Sequence, residues 1–150
     1  MRKGLPSSLA PGKRPRTTLT PTLVLRDGKP FMALGTPGGD QQDQWSLTLF
    51  ARLANHGLNL QQAIDLPMFH TDHAPSSFWP RLAQPGVLAV EGRFDLATLT
   101  DLDARGHRLH HRDPWSLGRL SAVAREETKQ GVLLKAGANP RQMQGYAVGR

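Results

Sequence analysis

The 150-residue sequence contains no cysteine, which removes disulfides and thiolate metal sites from consideration. Aromatic residues are few: three Trp, one Tyr and five Phe. The basic residues are scattered and no aromatic-rich binding motif accompanies them. The formal charge of +7 therefore reads as a dispersed solvated surface, and no nucleic-acid partner is expected. No apolar run approaches the length of a membrane-spanning helix, no targeting pattern follows Met1, and no membrane partner is expected. Residues 1–15 lack acids. They hold Arg2, Lys3, Lys13 and Arg14 among Pro, Gly and Ser, a composition expected to form a flexible basic leader. The remainder, residues 16–150, is long enough for one domain with a modest core, with no internal repeat.

What is present is organised around residues 16–40. Leu23-Val24-Leu25 and Phe31-Met32-Ala33-Leu34 are two apolar runs. Asp27-Gly28 between them suits a tight hairpin turn, because glycine accepts the positive φ that such turns need. The second run leads into Gly35-Thr36-Pro37-Gly38-Gly39-Asp40, after which a helical pattern begins. A glycine pair at a strand-to-helix turn leaves backbone N–H groups bare beside the positive end of the helix dipole. An anion site or an oxyanion hole can be built this way from backbone alone. The same glycines also serve a tight turn with no ligand, and spacing does not separate the two uses.

Trp45, Leu49 and Leu53 recur every four residues, with Phe50 and Ala54 beside them, and predict a helix capped by Asp40 and ended by Gly57. Asn59 and Gln62 have the form of a capping box and start a second helix, which Pro67 closes. Phe69-His70-Thr71-Asp72-His73 gathers metal-ligand residue types, with His107, His110 and His111 elsewhere. The spacing fits no zinc signature, so no metal and no cofactor is assigned. Pro75-Ser76-Ser77-Phe78-Trp79-Pro80 reads as a loop whose aromatics anchor it to the body. Gly86 to Phe94 reads as a strand, and Asp95 caps a helix with Leu96, Leu99 and Leu102 on one face, ended by Gly106. Leu120–Ala124 and Val132–Leu134 read as a second hairpin about a polar turn from Glu126 to Gly131, followed by an irregular tail.

These motifs, in this order, resemble the small-subunit core of the gamma-glutamyltransferase (gamma-glutamyltranspeptidase) family. The resemblance rests on P-R-T-T-L-T-P-T, on G-T-P-G-G-D after the hairpin, on N-H-G-L-N-L-Q-Q-A-I-D-L-P-M-F-H, on V-E-G-R-F and on A-N-P-R-Q-M-Q-G-Y-A-V-G-R. It covers nearly the whole chain. It implies an α+β fold, part of the αββα sandwich of N-terminal-nucleophile hydrolases, with antiparallel hairpins packed against helices. It further implies that the hydroxyls of Thr17 and Thr18 hold the substrate's α-carboxylate, and that the backbone amides of Gly38 and Gly39 receive the oxyanion. Many members of the family carry Ser-Ser at the first position and Ser after the glycines, where this chain has Thr17-Thr18 and Asp40.

In the family the attacking group is a threonine at a newly cleaved N-terminus. The resemblance places it some tens of residues before Thr17, ahead of Met1 in this sequence. The chain is therefore expected to carry part of an active site and to be inactive alone. Its expected partners are the nucleophile-bearing segment or large subunit of the same enzyme, or a second copy met through apolar sheet faces. Two functions compete. One is a portion of an enzyme that transfers or hydrolyses γ-glutamyl groups of glutathione-type small molecules. The other is a catalytically inactive truncated homologue that binds a ligand or partner.

Overall fold

The computed structural model describes residue 4, residues 8–143 and residues 145–149, so Arg2 and Lys3 of the expected leader lie outside the described residues. The first hairpin forms as the sequence predicts. Strand β1 (Thr22–Arg26) pairs antiparallel with β2 (Lys29–Gly35). Asp27 and Gly28 take φ values of 51° and 75°, the doubly positive turn whose twist matches that of the strands it joins.

β2 also pairs with β6 (Ser121–Thr128), and β6 with β7 (Gly131–Ala138), giving an antiparallel sheet in the order β1-β2-β6-β7. The second hairpin is longer than its apolar runs. Its ladder continues through Glu126, Glu127 and Thr128, because backbone pairing does not require apolar side chains where one face is wet. Lys135 pairs with Glu126 across the strands, and Lys29 Nζ lies 3.2 Å from Glu127 Oε1.

Two helices cover one face of this sheet. α1 (Gln42–His56) buries Trp45 and Leu49, and α2 (Leu60–Asp65) buries Leu60, Ala63 and Ile64. They meet Met32 and Leu34 of β2 and Ala122 of β6 in one core cluster, which Met68, Ala89, Leu117 and Leu120 complete. The capping box at α2 is present: Asn59 Oδ1 accepts from Gln62 N at 2.9 Å, and Gln62 Oε1 accepts from Asn59 N at 3.1 Å. The opposite sheet face is largely exposed among the described residues, with Ala147–Gly149 of the tail bordering it. Leu23, Ala33, Val123 and Ala136 are cross-strand partners in one row, and Leu23 and Val123 remain 65% and 55% exposed.

A smaller sheet, β3-β4-β5, packs beside this core. It contains two strands that the pattern does not predict. β3 (Phe69–Thr71) has only three residues, and β5 (Arg108–Arg112) reads R-L-H-H-R, so neither carries a period-two signal. Both are recruited by β4 (Val87–Glu91), which is buried at every position. β4 and β5 run parallel, joined through α3 (Leu96–Ala104), so a βαβ unit accompanies the expected antiparallel hairpins. Asp95 caps α3 as predicted, accepting from Thr98 N at 2.8 Å. The leucine stripe of α3 does not enter the core, and Leu96 is 79% exposed.

At the end of β4 a buried carboxylate holds several elements together. Glu91 accepts from Met68 N at 3.0 Å, from Leu117 N at 2.9 Å, from Arg93 Nη2 at 2.8 Å and from Arg141 at 2.9 and 3.0 Å. Arg141 also donates to the carbonyls of Ile64 and Leu66 at 2.8 and 3.0 Å, closing the C-terminal end of α2. Trp115 stacks under the Arg93 guanidinium, 3.4 Å from its ring centroid. Burial by itself would raise the Glu91 carboxyl. The bonds from Arg141, the Leu117 amide, Arg93 and the Met68 amide outweigh it and hold the carboxyl below the ordinary glutamate range. Arg52, which donates to the Ala63 and Pro67 carbonyls at 3.1 and 2.6 Å, is pushed down to about 10 by burial and by nearby Arg141. It is still charged at neutral pH.

Breaking a buried ion pair leaves an uncompensated charge and costs about 3–5 kcal/mol. Glu91→Gln is therefore expected to lower the melting temperature by on the order of 10 °C. Because the Glu91 carboxyl is depressed in the folded chain, its contribution is present above the ordinary glutamate value and lost as pH falls through the depressed one. Thermal unfolding of both proteins across the acid range checks this. An unchanged midpoint at neutral pH would contradict it.

Candidate active site

Residues 36–41 turn the chain from the end of β2 into α1. The turn is fastened by its carbonyls. Gly39 O accepts from Gln42 N at 3.2 Å, and Thr36 O accepts from Gln42 Nε2 at 2.6 Å. The amide N–H groups of Gly38 and Gly39 take no part in these bonds and have no acceptor among the described residues. They stand at the head of a fifteen-residue helix, where the dipole favours negative charge.

Asp40 does not cap that helix. Gln41 occupies the N-cap position in a helical conformation, with no side-chain capping bond. The Asp40 carboxylate instead accepts from the Ser77 amide at 2.7 Å, across 37 residues of chain. Bonds from the Ser77 hydroxyl and amide pull the carboxyl below its ordinary range. Ser76 and Arg16 add to this, against a smaller opposing effect of burial.

Thr17 and Thr18 lie on the segment that precedes β1. Thr17 Oγ1 accepts from Leu19 N at 3.2 Å, which leaves its hydroxyl hydrogen free to be donated outward. Thr18 is half-buried. No hydrogen bond joins either threonine to Gly38 or Gly39 among the described residues. The two segments flank the β1–β2 hairpin, with Thr22 opposite Leu34, and the 75–80 loop links them further, since Arg16 Nη2 donates to Ser77 Oγ at 3.1 Å while Ser77 N donates to Asp40. Arg16 and Ser77 thus join the candidate residues, and sequence reasoning did not single them out. The only trace they leave is an Arg before the threonine pair and a Ser pair in a loop.

Behind the glycine turn sits Trp45. A Cβ added at Gly38 would lie 2.9 Å from Trp45 Cζ3 and 3.2 Å from Gln42 Cγ, so the backbone rests directly on the indole. Trp45 meets His70 edge to face, with ring centroids 5.4 Å apart. Burial pushes the His70 pKa down, and Arg112 adds to that effect. Asp72, 3.6 Å away, opposes it, and the ring stays neutral at pH 7. Gln44 brackets β3 by accepting from Thr71 N at 2.8 Å and donating to Thr71 O at 3.0 Å. His73 Nδ1 accepts from Gly86 N at 3.2 Å. The His-Asp-His cluster therefore packs β3 beneath α1. Among the described residues no group of three His, Asp or Glu could hold a metal ion.

Comparison with known proteins shows the family and the fold. Residues 2–149 match the family model described as gamma-glutamyltranspeptidase. The chain is similar to the glutathione hydrolase-like YwrD proenzyme of Bacillus subtilis (strain 168), at 34% identity over 148 residues that cover 95% of this chain and 26% of that protein. The solved structure of LmbA2991HD is 56% identical and superposes with a TM-score of 0.85, covering 99% of this chain and 26% of that one. Cephalosporin acylase from Bacillus halodurans is 28% identical with a TM-score of 0.72, covering 89% of this chain and 23% of its own. The chain thus spans about a quarter of the length of these relatives. Its fold is the mixed α+β arrangement of N-terminal-nucleophile hydrolases of the transpeptidase and acylase kind.

The two glycines differ in what a side chain would meet. Gly38→Ala must displace a buried indole, and overpacking of this kind costs about 1–3 kcal/mol. At Gly39 the added carbon meets only Gln41 Oε1, at 3.5 Å, an ordinary contact. Melting curves are expected to show Gly38→Ala destabilised and Gly39→Ala close to the parent. Equal midpoints would contradict the placement of Trp45 against Gly38.

Proposed function

The chain belongs to the gamma-glutamyltranspeptidase family, and we propose that it supplies the oxyanion and carboxylate donors for hydrolysis or transfer of γ-glutamyl groups from glutathione-type substrates. The nucleophile comes from another part of the assembly. The observation that carries this reading is the pair of unused amide N–H groups at Gly38 and Gly39, set at the head of α1. As an attacking oxygen adds to the γ-glutamyl carbonyl, negative charge collects on the carbonyl oxygen. Two fixed N–H dipoles there stabilise the charge without reorganising. The Thr17 and Thr18 hydroxyls donate to a carboxylate that is already ionised in the bound substrate, which fixes the acyl donor's orientation.

The largely exposed sheet face supports the same reading. A row from Leu23 to Ala136 across four strands is the kind of apolar surface that a second layer covers. The YwrD proenzyme, of which this region matches about a quarter, has further chain available to form such a layer.

The test uses a complete enzyme that contains this segment, with melting temperature as the control for folding. Gly39→Pro deletes one N–H, and loss of one oxyanion donor is expected to lower kcat by about 10²–10³. KM is expected to change far less, because the bond strengthens as charge develops. Thr17→Ala and Thr18→Ala are expected to do the reverse, raising KM more than they lower kcat. A Gly39→Pro enzyme that folds and keeps its full kcat would end the oxyanion assignment and favour a binding module.

A further inference from the structure

The departure at Asp40 raises a physical question. A free carboxylate one residue beyond an oxyanion site opposes the build-up of negative charge there, and it repels an anionic substrate. In this chain the carboxylate is not free. It accepts from the Ser77 amide at 2.7 Å, and Arg16 lies close enough to favour its ionised form. Arg16 in turn donates to Ser77 Oγ at 3.1 Å. One residue of the 75–80 loop therefore touches the side chain next to Thr17 on one side and the side chain next to Gly39 on the other.

The loop is stiff enough to act as a spacer. Ser76 N donates to Leu82 O at 2.9 Å, Arg81 N to Phe78 O at 2.7 Å and Gln84 N to Asp72 O at 2.8 Å. Its base continues into β3 and β4, which bury His70 and every residue of 87–91. Displacing Ser77 thus means distorting a bonded loop seated on the smaller sheet.

We propose that Arg16, Asp40 and Ser77 are positioning residues that lock the Thr17–Thr18 hydroxyls to the Gly38–Gly39 amides. The site is then selective for acyl donors whose carboxylate stands at one set distance from the scissile carbonyl. This inference rests on the donor roles proposed above. No hydrogen bond joins the two sets of donors: the β1–β2 pairing, with Thr22 opposite Leu34, holds their segments side by side, and the Arg16–Ser77–Asp40 link fixes the separation beyond it. A substrate that uses both sets reads that separation. A substrate that uses only the amides does not.

The experiment compares two anilides in a complete enzyme containing this chain: the γ-glutamyl anilide and its 4-aminobutyryl counterpart, which lacks the carboxylate. Ser77→Ala removes the hydroxyl that accepts from Arg16 and bonds Asp40, and keeps the backbone amide for Asp40. It is expected to lower kcat/KM for the γ-glutamyl anilide about five- to tenfold, the net value of one hydrogen bond. The loss for the counterpart is expected to be under about twofold, and Ser77→Thr is expected to restore the parent value. Arg16→Gln combined with Ser77→Ala is expected to cost less than the sum of the two, because both remove the Arg16–Ser77 bond. Equal loss on the two substrates, or no loss on either, overturns the proposal. Thr17→Ala and Thr18→Ala are measured alongside. If they discriminate between the anilides and Ser77→Ala does not, the positioning link fails and the donor roles stand. If neither threonine variant discriminates, the donor roles fail and this proposal falls with them.

Discussion

The chain depends on one buried carboxylate. Glu91 takes hydrogen bonds from two backbone amides and two arginines, and these partners come from four stretches of sequence. Removing it would leave the Met68 and Leu117 amides without an acceptor and Arg141 charged in a closed interior. A hydrophobic replacement of the whole network could be as stable. What the ionic version adds is direction, because each donor accepts only one placement of the chain that carries it. The irregular tail is an example: it has little regular structure, yet Arg141 is fully buried.

This clamp fixes the base from which the site is built. Met68 donates to Glu91 and begins the segment that becomes β3, and β3 is bracketed by Gln44 of α1. Trp45, one residue further along α1, supports the Gly38 backbone on one side and meets His70 of β3 on the other. Packing thus runs from a buried ion pair through a short strand and an indole to the glycine turn. The turn's own hydrogen bonds use carbonyls and spare the two amides. A strand-to-helix turn with two unbonded N–H groups has the backbone features from which anion sites are built.

The parts of this arrangement that sequence revealed are those with local causes. Asp27-Gly28 sets a turn within two residues, and Asn59 with Gln62 caps a helix within four. Spacing marked the glycine pair as a strand-to-helix turn, and only the family resemblance gave it a role. What stayed hidden depends on partners far along the chain. Asp40 stands where an N-cap is expected, yet an amide 37 residues away captures it, and nothing near Asp40 records that. Arg-Leu-His-His-Arg becomes strand β5 because β4 offers a parallel edge, not because its pattern asks for one. Arg141 and Glu91 are 50 residues apart, each surrounded by unremarkable neighbours. The apolar row across the large sheet was foreseeable in kind, since one layer of a sandwich exposes its inner face. Its membership needed the register.

The central claim is that Gly38 and Gly39 receive the developing oxyanion. The most direct measurement is a crystal structure of a complete enzyme containing this chain, trapped with an inhibitor that forms a tetrahedral adduct on the nucleophile. The account predicts the adduct's oxygen about 2.7–3.1 Å from both amide nitrogens, the range for a donor pair aimed at an oxyanion. An adduct whose oxygen is held by other donors, with the Gly38 and Gly39 amides facing solvent, would contradict it.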